Sequence, residues 1–306
     1  MALSLSLQSG DPISHENVER IEVRAPTRAG HVLAGTFSIP TGLRRGPVAV
    51  FVSGAGPQTR NYSTVDGVNN RAFEKIENGL LRIGIASFRY DEVGTGLSGG
   101  SYREYATSTT LADDLADVLT TLRSHQKFEA TEFLLIGHSE GGLIASMAAV
   151  SSNRIAGLVL LAAPATPGSQ VMQDQWAAFQ RLGGETTEEQ QSIHRERLRL
   201  DPWYRLFLTL DPSPIYARVV QPVLLLQGEQ DYSVPAWHAD RIASVLRENG
   251  NTRVKLVRLP ERGHAFINLD PNEFDPAVTA LIVDWAAAIV RTRPDKHVSG
   301  PRTPAG

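Results

Sequence analysis

The chain has 306 residues, a formal net charge of −3 and 42% hydrophobic residues. This composition excludes a disordered chain, which would have fewer apolar residues or a much larger net charge. The nearly even balance of charge gives no electrostatic reason to bind nucleic acid or an anionic membrane. The chain has no cysteine, so disulfides, thiolate nucleophiles and cysteine-bound zinc are excluded.

The N-terminal residues do not have the pattern of a signal peptide, and the C-terminal residues have the composition of a tail. Residues 1–12 contain no Lys or Arg, and serines interrupt their apolar residues, unlike a signal peptide. No stretch approaches the roughly 18 apolar residues that span a bilayer. We therefore expect a cytoplasmic protein with no membrane partner. Residues 293–306 are rich in Pro, Gly and charge, which predicts a disordered tail.

Strand and helix patterns follow one another along the chain. Alternating segments at Val18–Val23 and Val32–Ile39 predict two antiparallel strands. Continuous apolar runs, typical of strands buried on both faces, then alternate with helical patterns. The predicted strands are Val48–Val52, Ile85–Phe88, Phe133–Ile136, Ile155–Leu161, Val223–Leu226 and Val254–Arg258. The predicted helices are Asn70–Leu81, Thr109–Ser124, Gly141–Val150, Ala236–Glu248 and Ala277–Val290. This alternation predicts an α/β fold with a mostly parallel sheet between helices.

Residues 164–222 interrupt this alternation and are too many for a loop in a compact domain. Aromatic residues recur there at near-helical spacing, which predicts a helical cap inserted over a core domain of residues 18–163 and 223–292. These aromatic side chains either pack the cap onto the sheet or line a substrate pocket. The candidates for a substrate-binding role are Trp176, Phe179, Trp203 and Phe207.

The clearest chemical signal is a G-x-S-x-G string at Gly137–Gly141, with Ser139 at its centre. The string begins where a predicted strand ends and stops where a predicted helix begins. A sharp strand-to-helix turn exposes the serine hydroxyl, and the flanking glycines let the backbone bend and approach closely. The helix N-terminus offers its amides and partial positive charge to a developing oxyanion. The pattern favours a nucleophilic serine over a turn with an N-capping serine.

With this motif on a parallel sheet that carries an inserted cap, the chain resembles the α/β-hydrolase family of serine hydrolases, in its esterase and peptidase-like branch. The resemblance covers about Val18–Val290. The order of candidate residues along the chain, serine, then acid, then histidine, is that family's order. The resemblance implies the α/β-hydrolase fold and a Ser-His-Asp catalytic triad.

The resemblance places the triad acid after the penultimate predicted strand and the base after the last one. Asp231 is the expected acid, and Glu229, nearer the strand end, is the second choice. Of the eight histidines, His264 occupies the position of the base, whereas His138 adjoins the serine and is expected to pack or hydrogen-bond locally. In these roles His264 removes the Ser139 proton, and Asp231 orients the imidazole.

The segment Ser53–Pro57 follows the first buried strand, where the family carries its first oxyanion donor. Ser53 stands where the family usually has histidine. By position, the backbone amides of Ala55 and Glu140 are the expected oxyanion hole. The side chain of Glu140 either holds a substrate ammonium or faces a hydrogen-bond network behind the turn, and the network is favoured.

A second glycine-rich string, Gly94–Gly99, matches the G-x-G-x-x-G pattern of dinucleotide-binding domains. It neither follows a strand directly nor opens a helix, so no dinucleotide cofactor is expected. It instead resembles the family's D-x-R-G-x-G-x-S loop beginning at Asp91, with Val93 in place of the usual arginine. The chain has no HExxH string and no close histidine pair, so no metal site is predicted, and no cofactor is expected.

The nature of the nucleophile narrows the expected reaction. A serine argues against dehalogenase and epoxide-hydrolase chemistry, which this fold performs with aspartate. We expect hydrolysis of a carboxylic ester or thioester through an acyl-enzyme, with a small-molecule acyl substrate. The alternatives are a serine peptidase or aminopeptidase on small peptides, an acyltransferase or cyclase, and a non-catalytic small-molecule receptor. No nucleic-acid partner is predicted, and the oligomeric state stays open, with a homodimer as one option.

Overall fold

The computed structural model describes residues 17–62, 71–181, 200–267 and 273–291, and between 181 and 200 the single positions 190, 192, 193 and 196. Residues 293–306, for which a disordered tail is predicted, lie outside the described residues. None of the helices within the described ranges is long and apolar enough to cross a membrane.

The described residues form one eight-stranded, mostly parallel sheet. Its strands are β1 (Val18–Pro26), β2 (Val32–Pro40), β3 (Arg45–Val52), β4 (Ala86–Tyr90), β5 (Glu129–His138), β6 (Ile155–Leu161), β7 (Val223–Gly228) and β8 (Val254–Leu259). The spatial order is β1-β2-β4-β3-β5-β6-β7-β8. β2 runs antiparallel to both of its neighbours, and all other neighbouring pairs are parallel.

Helices cover the sheet on both faces. They are α1 (Ala72–Arg82), α2 (Tyr102–Tyr105), α3 (Ser108–Arg123), α4 (Glu140–Val150), α5 (Gly168–Arg181), α6 (Pro202–Thr209), α7 (Ser213–Tyr216), α8 (Trp237–Glu248) and α9 (Pro276–Arg291). The core cluster on one face takes buried residues from α3, α4 and α8, and the cluster on the other face takes them from α1 and α9. The predicted parallel sheet between helices is confirmed.

The central strands are apolar throughout because both of their faces are buried. In β3, Val48, Val50 and Val52 belong to the core cluster of one face. The intervening residues Ala49 and Phe51 belong to the cluster of the other face. This alternation turns the continuous apolar run of the sequence into two cores separated by the sheet.

Some strands and helices differ from those predicted from the sequence. β5 begins at Glu129 rather than Phe133 because Glu129 pairs with Arg45 in the parallel ladder with β3. Helix α2 was not predicted, since four residues are too few for a helical periodicity to emerge.

Helices α5, α6 and α7 lie between β6 and β7, in the segment where the cap is predicted. α5 and α6 pack against each other, and α6 also contacts α2 and α3 of the core. In α7, the hydroxyl of Tyr216 donates a hydrogen bond of 2.8 Å to the backbone oxygen of Pro164, where the chain leaves the sheet. The limits of the cap and core as separate units stay a prediction.

Candidate active site

Three polar side chains lie beyond the carboxyl ends of neighbouring strands. Ser139 directly follows β5, Asp231 follows β7 and His264 follows β8. Because β5, β6, β7 and β8 are parallel neighbours, their carboxyl ends meet at one edge of the sheet. The crevice at that edge is the usual ligand position in open α/β sheets. The topology thus gathers residues that are distant in the chain.

Ser139 occupies a sharp turn between β5 and α4. Its φ of 54° and ψ of −125° are rare for a non-glycine residue, and such a conformation costs on the order of 1–3 kcal/mol. The surroundings hold it: the Ser139 N–H donates to Leu161 O at 2.8 Å, and the Gly142 N–H donates to Ser139 O at 3.0 Å. A Cβ on Gly141 would lie 2.2 Å from Val52 O, so glycine is needed for the turn to pack against β3.

Asp231 and His264 form a hydrogen-bonded pair. Nδ1 of His264 lies 2.8 Å from Oδ2 of Asp231. The other carboxylate oxygen accepts from the backbone N–H groups of Ser233 and Val234, each at 2.8 Å, and Nε2 of Gln227 donates to Oδ2 at 3.0 Å. Because an ionised carboxylate can only accept, the proton of the pair is on Nδ1 of His264, which leaves Nε2 as the basic nitrogen.

Glu229, the second choice for the acid, lies in a different environment. It is exposed, whereas Asp231 is 4% exposed, and the hydrogen bond to His264 is made by Asp231. The structure therefore pairs the first choice of acid with the predicted base.

His138, the residue before the serine, is buried and supports the loop that carries His264. Nε2 of His138 lies 2.8 Å from the backbone oxygen of His264, so this nitrogen donates its proton to it. Nδ1 then accepts a hydrogen bond from the Tyr62 hydroxyl. Burial, together with the nearby His264 ring, lowers the pKa of His138 to about 3 and keeps the ring neutral. Both partners are distant in the chain, and no sequence signal singled out Tyr62.

A cavity of about 250 Å³ lies between the sheet edge and the cap helices. Ser139 and His264 line it from the core. Although both residues are among those described, no hydrogen bond joins their side chains in this structure. Hydrogen bonds of this kind are often long before a substrate is bound. The cap side of the wall is mostly apolar and includes Val171, Met172, Trp203, Tyr204 and Phe207.

Two residues on the cavity wall have backbone N–H groups for which the described part of the chain supplies no acceptor. They are Ala55, in the loop after β3, and Glu140, the first residue of α4. Neither N–H donates a hydrogen bond to any group within the described ranges, whereas the neighbouring N–H of Gly56 donates to the Tyr102 hydroxyl at 3.0 Å. These are the two amides predicted for the oxyanion hole, and that role stays a prediction.

The side chain of Glu140 joins the core to the cap. Both carboxylate oxygens accept from Nε1 of Trp203 at 2.9 Å, and Oε1 also accepts from the Ser108 hydroxyl. Burial raises the pKa of Glu140 to about 7, although both of these hydrogen bonds oppose the rise. The carboxylate is in a hydrogen-bond network, as was favoured from the sequence, but the network lies between core and cap rather than behind the turn.

The four aromatic candidates lie in different environments. Trp203 and Phe207 line the cavity, and their rings stack with centroids 4.9 Å apart. Trp176 does not line the cavity and is 39% exposed. The cavity therefore does not support the expected substrate-binding role of Trp176. The side chain of Phe179 lies outside the described residues.

An arginine from elsewhere in the chain holds the glycine-rich loop that begins at Asp91. The Asp91 carboxylate accepts from the backbone N–H of Arg60 at 2.8 Å, from its guanidinium at 2.7 Å and from the Leu97 N–H at 3.0 Å. Val93, where the family usually has arginine, is fully buried. Arg60 thus supplies the cation that the local string lacks. Within the described ranges, no group of three His, Asp or Glu side chains that could hold a metal ion is present.

Comparison with known proteins assigns the chain to a family. Residues 76–292, well over half of the chain, match the model of the prolyl oligopeptidase family, Peptidase S9. The chain belongs to this family. The matched range begins within α1, extends past α9 and includes the segments that carry Ser139, Asp231 and His264.

Individual proteins also resemble the chain, at low sequence identity. Esterase EstD from Thermotoga maritima is 27% identical over 255 residues, which are 77% of this chain and 58% of EstD. This chain therefore spans little more than half the length of that relative. The structure of esterase Pf2001 from Pyrococcus furiosus matches with a TM-score of 0.66 at 16% identity, over 89% of this chain and 91% of Pf2001. The α/β hydrolase GrgF from Penicillium sp. sh18 matches with a TM-score of 0.63 at 20% identity, over 89% of this chain and 99% of GrgF. The chain thus has the α/β-hydrolase fold.

Proposed function

We propose that this chain is a serine hydrolase that cleaves a carboxylic ester or thioester through an acyl-enzyme intermediate. The observation that carries the proposal is the hydrogen bond of 2.8 Å between His264 and Asp231, on the wall of the same cavity as Ser139. Ser139 is also held at a positive φ in a strand-to-helix turn. A hydroxyl in this position needs a base to become a nucleophile, and His264 supplies one.

The residues divide the reaction between them. Nε2 of His264 takes the proton of Ser139 as its Oγ attacks the acyl carbon, and Asp231 stabilises the resulting imidazolium. The amides of Ala55 and Glu140 donate hydrogen bonds to the oxyanion of the tetrahedral intermediate. The imidazolium then protonates the leaving alcohol or thiol as its bond to carbon breaks. Water, deprotonated by His264, attacks the acyl-enzyme, and Ser139 regains its proton when the acid departs.

The walls of the cavity favour a small, uncharged acyl group. A cavity of about 250 Å³ with Val171, Met172 and Phe207 on its cap side gains from burying apolar surface. Two relatives, EstD and Pf2001, are esterases by name, which agrees with this substrate class.

Membership of the prolyl oligopeptidase family supports a second candidate, a serine peptidase or aminopeptidase acting on small peptides. An aminopeptidase needs an acid to bind the substrate ammonium. The acid beside the nucleophile, Glu140, already accepts hydrogen bonds from Trp203 and Ser108. This arrangement makes the ester the stronger proposal.

The first test uses a fluorophosphonate, which labels activated serines, read by intact mass on wild type and Ser139→Ala. We expect one adduct on the wild type and none on the variant. p-Nitrophenyl esters, thioesters and aminoacyl anilides then establish the substrate class under identical conditions. Faster turnover of the anilides would favour the peptidase. If the protein is labelled and transfers acyl groups to an added alcohol or amine, but hydrolyses little ester, an acyltransferase would be favoured. The absence of any adduct would favour a non-catalytic receptor.

A further inference from the structure

A single buried carboxylate connects the nucleophile turn to the cap. Glu140 is 1% exposed, and Nε1 of Trp203 donates to both of its oxygens at 2.9 Å. The hydroxyl of the fully buried Ser108 donates to the same carboxylate. Glu140 begins α4 and Ser108 begins α3, whereas Trp203 lies on cap helix α6. The carboxylate therefore joins three helices at one point beside the cavity.

The bond to Trp203 determines where part of the cavity wall lies. The indole stacks on the Phe207 ring at an interplanar angle of 11°, and both rings line the cavity. Phe207 in turn packs so closely on Gly168, at the start of α5, that a Cβ there would lie 2.2 Å from the ring. Through its contact with Phe207, the indole therefore also affects how α5 packs against α6.

The carboxylate needs its donors because it is out of water. A buried acceptor that loses its hydrogen-bond partner has to bear its desolvation cost without compensation. Moving Trp203 away from Glu140 is therefore unfavourable, and the wall resists widening.

We infer that Glu140 is a positioning residue that fixes the Trp203–Phe207 wall and so limits the length of the acyl group that the cavity accepts. The inference rests on the proposed function. Glu140 acts here through the ring of Trp203 rather than by touching the substrate with its carboxylate. Its backbone N–H has the separate role in the oxyanion hole. The raised pKa of Glu140, which is caused by burial, agrees with a carboxylate held inside the protein.

The test compares esters of increasing acyl length across matched variants. Glu140→Leu removes the acceptor with little change in size, and Trp203→Phe removes the donor but keeps an aromatic ring. Glu140→Gln keeps an acceptor for the indole N–H. Trp176→Phe is the control, because Trp176 is a cap tryptophan that does not line the cavity. The measured quantity is the ratio of kcat/KM for p-nitrophenyl octanoate to that for the acetate.

We expect Glu140→Leu and Trp203→Phe each to raise this ratio by about tenfold, the scale on which a pocket discriminates small changes in an apolar substrate. Most of the change lies in KM for the octanoate, since the nucleophile is untouched. Glu140→Gln should keep most of the wild-type ratio, and Trp176→Phe should leave the ratio unchanged. The double variant Glu140→Leu/Trp203→Phe exceeds neither single variant by much, because both remove the same bond.

The outcomes separate the inference from the proposed function. Suppose that the wild type is labelled by the fluorophosphonate and hydrolyses the esters. If both single variants then keep the wild-type ratio to within about twofold, the inference alone is overturned. A wild type that is neither labelled nor active overturns the proposed function and the inference with it. If Glu140→Leu does not fold, as judged by circular dichroism, Trp203→Phe alone decides, because it leaves the core carboxylate and its Ser108 bond in place.

Discussion

The core and the cap hold their sides of the cavity in different ways. On the core side, backbone hydrogen bonds of the sheet and its loops position the candidate catalytic groups, as in the bond from Ser139 to Leu161 and those that reach Asp231. On the cap side, the wall depends on side-chain contacts, chiefly the bond from Trp203 to Glu140. Backbone ladders change only with the fold, whereas a side-chain contact can be exchanged singly. If the proposed function and the inference about Glu140 hold, reaction chemistry and acyl selection can therefore change separately.

A second contact between the cap and the core is also made by a single side chain. Nε2 of Gln175, on α5, donates to the backbone oxygen of Ser233 at 2.8 Å. Ser233 belongs to the loop whose N–H groups bind Asp231. The cap thus reaches both the nucleophile turn and the acid loop through single side chains.

The largest expected effect comes from a change on the core side, which should lower the catalytic rate without affecting folding. Ser139→Ala removes the nucleophile, so kcat for a p-nitrophenyl ester falls by about 10⁶-fold. The fold is retained, because the turn is held by its backbone hydrogen bonds. Stopped-flow kinetics and thermal unfolding followed by circular dichroism measure the two effects. Burst release of p-nitrophenol by the variant would refute the assignment of the nucleophile.

The acid is expected to have the next largest effect. Asp231→Asn places an amide against Nδ1 of His264, so the histidine is held in the wrong tautomer and kcat falls by about 10⁴-fold. Glu229→Gln is the matched control, since Glu229 is an exposed acid in the same turn, and it should keep the wild-type rate. A near-normal rate for Asp231→Asn would mean that another carboxylate orients the base.

The contact between core and cap should give stability a pH dependence. The pKa of Glu140 is about 7 in the folded protein and 4.5 when unfolded, so its contribution to stability is full below about pH 4.5 and is lost as the pH rises through 7. Glu140→Gln removes this titration. The unfolding free energy of wild type minus that of the variant should therefore fall by about 2–4 kcal/mol between pH 4.5 and pH 8. Urea unfolding at four pH values measures it, and a constant difference would contradict the assignment.

The smallest expected effect concerns the support of the base. Tyr62→Phe leaves Nδ1 of the buried His138 without its donor, and this should lower the unfolding free energy by about 1–3 kcal/mol. The remaining ring keeps its contact with Phe73, whose centroid is 4.7 Å away. Tyr232→Phe is the control, because Tyr232 is 55% exposed. Equal unfolding midpoints for the two variants in urea would show that the bond to His138 adds no stability.

Much of the fold could be predicted from local pattern. The run from Val48 to Val52 indicates a buried strand because each residue faces one of two apolar layers. The Ser139 turn could be found because strand, glycines and helix are consecutive in the chain. Asp231 and His264 could be located because the chain resembles the α/β-hydrolase family, in which the acid and the base follow the last two strands of the sheet.

Several contacts that complete the site could not be predicted in the same way. His138 bonds to Tyr62, Asp91 to Arg60 and Glu140 to Trp203, each across a long stretch of chain. A single sequence carries no spacing rule for such pairs. For the same reason the helical spacing of the cap aromatics could not show which of these candidates line the cavity, and Trp176 does not.

By itself the sequence determined the α/β fold and the strand-to-helix turn at Ser139, because these depend on patterns between neighbours in the chain, and its resemblance to a family indicated the candidate acid and base. Only the tertiary structure decided which side chains form the cavity wall and that the Glu140 carboxylate is held by Trp203 of the cap. Those contacts depend on how the cap helices lie over the sheet, and that geometry arises from packing between segments distant in the chain.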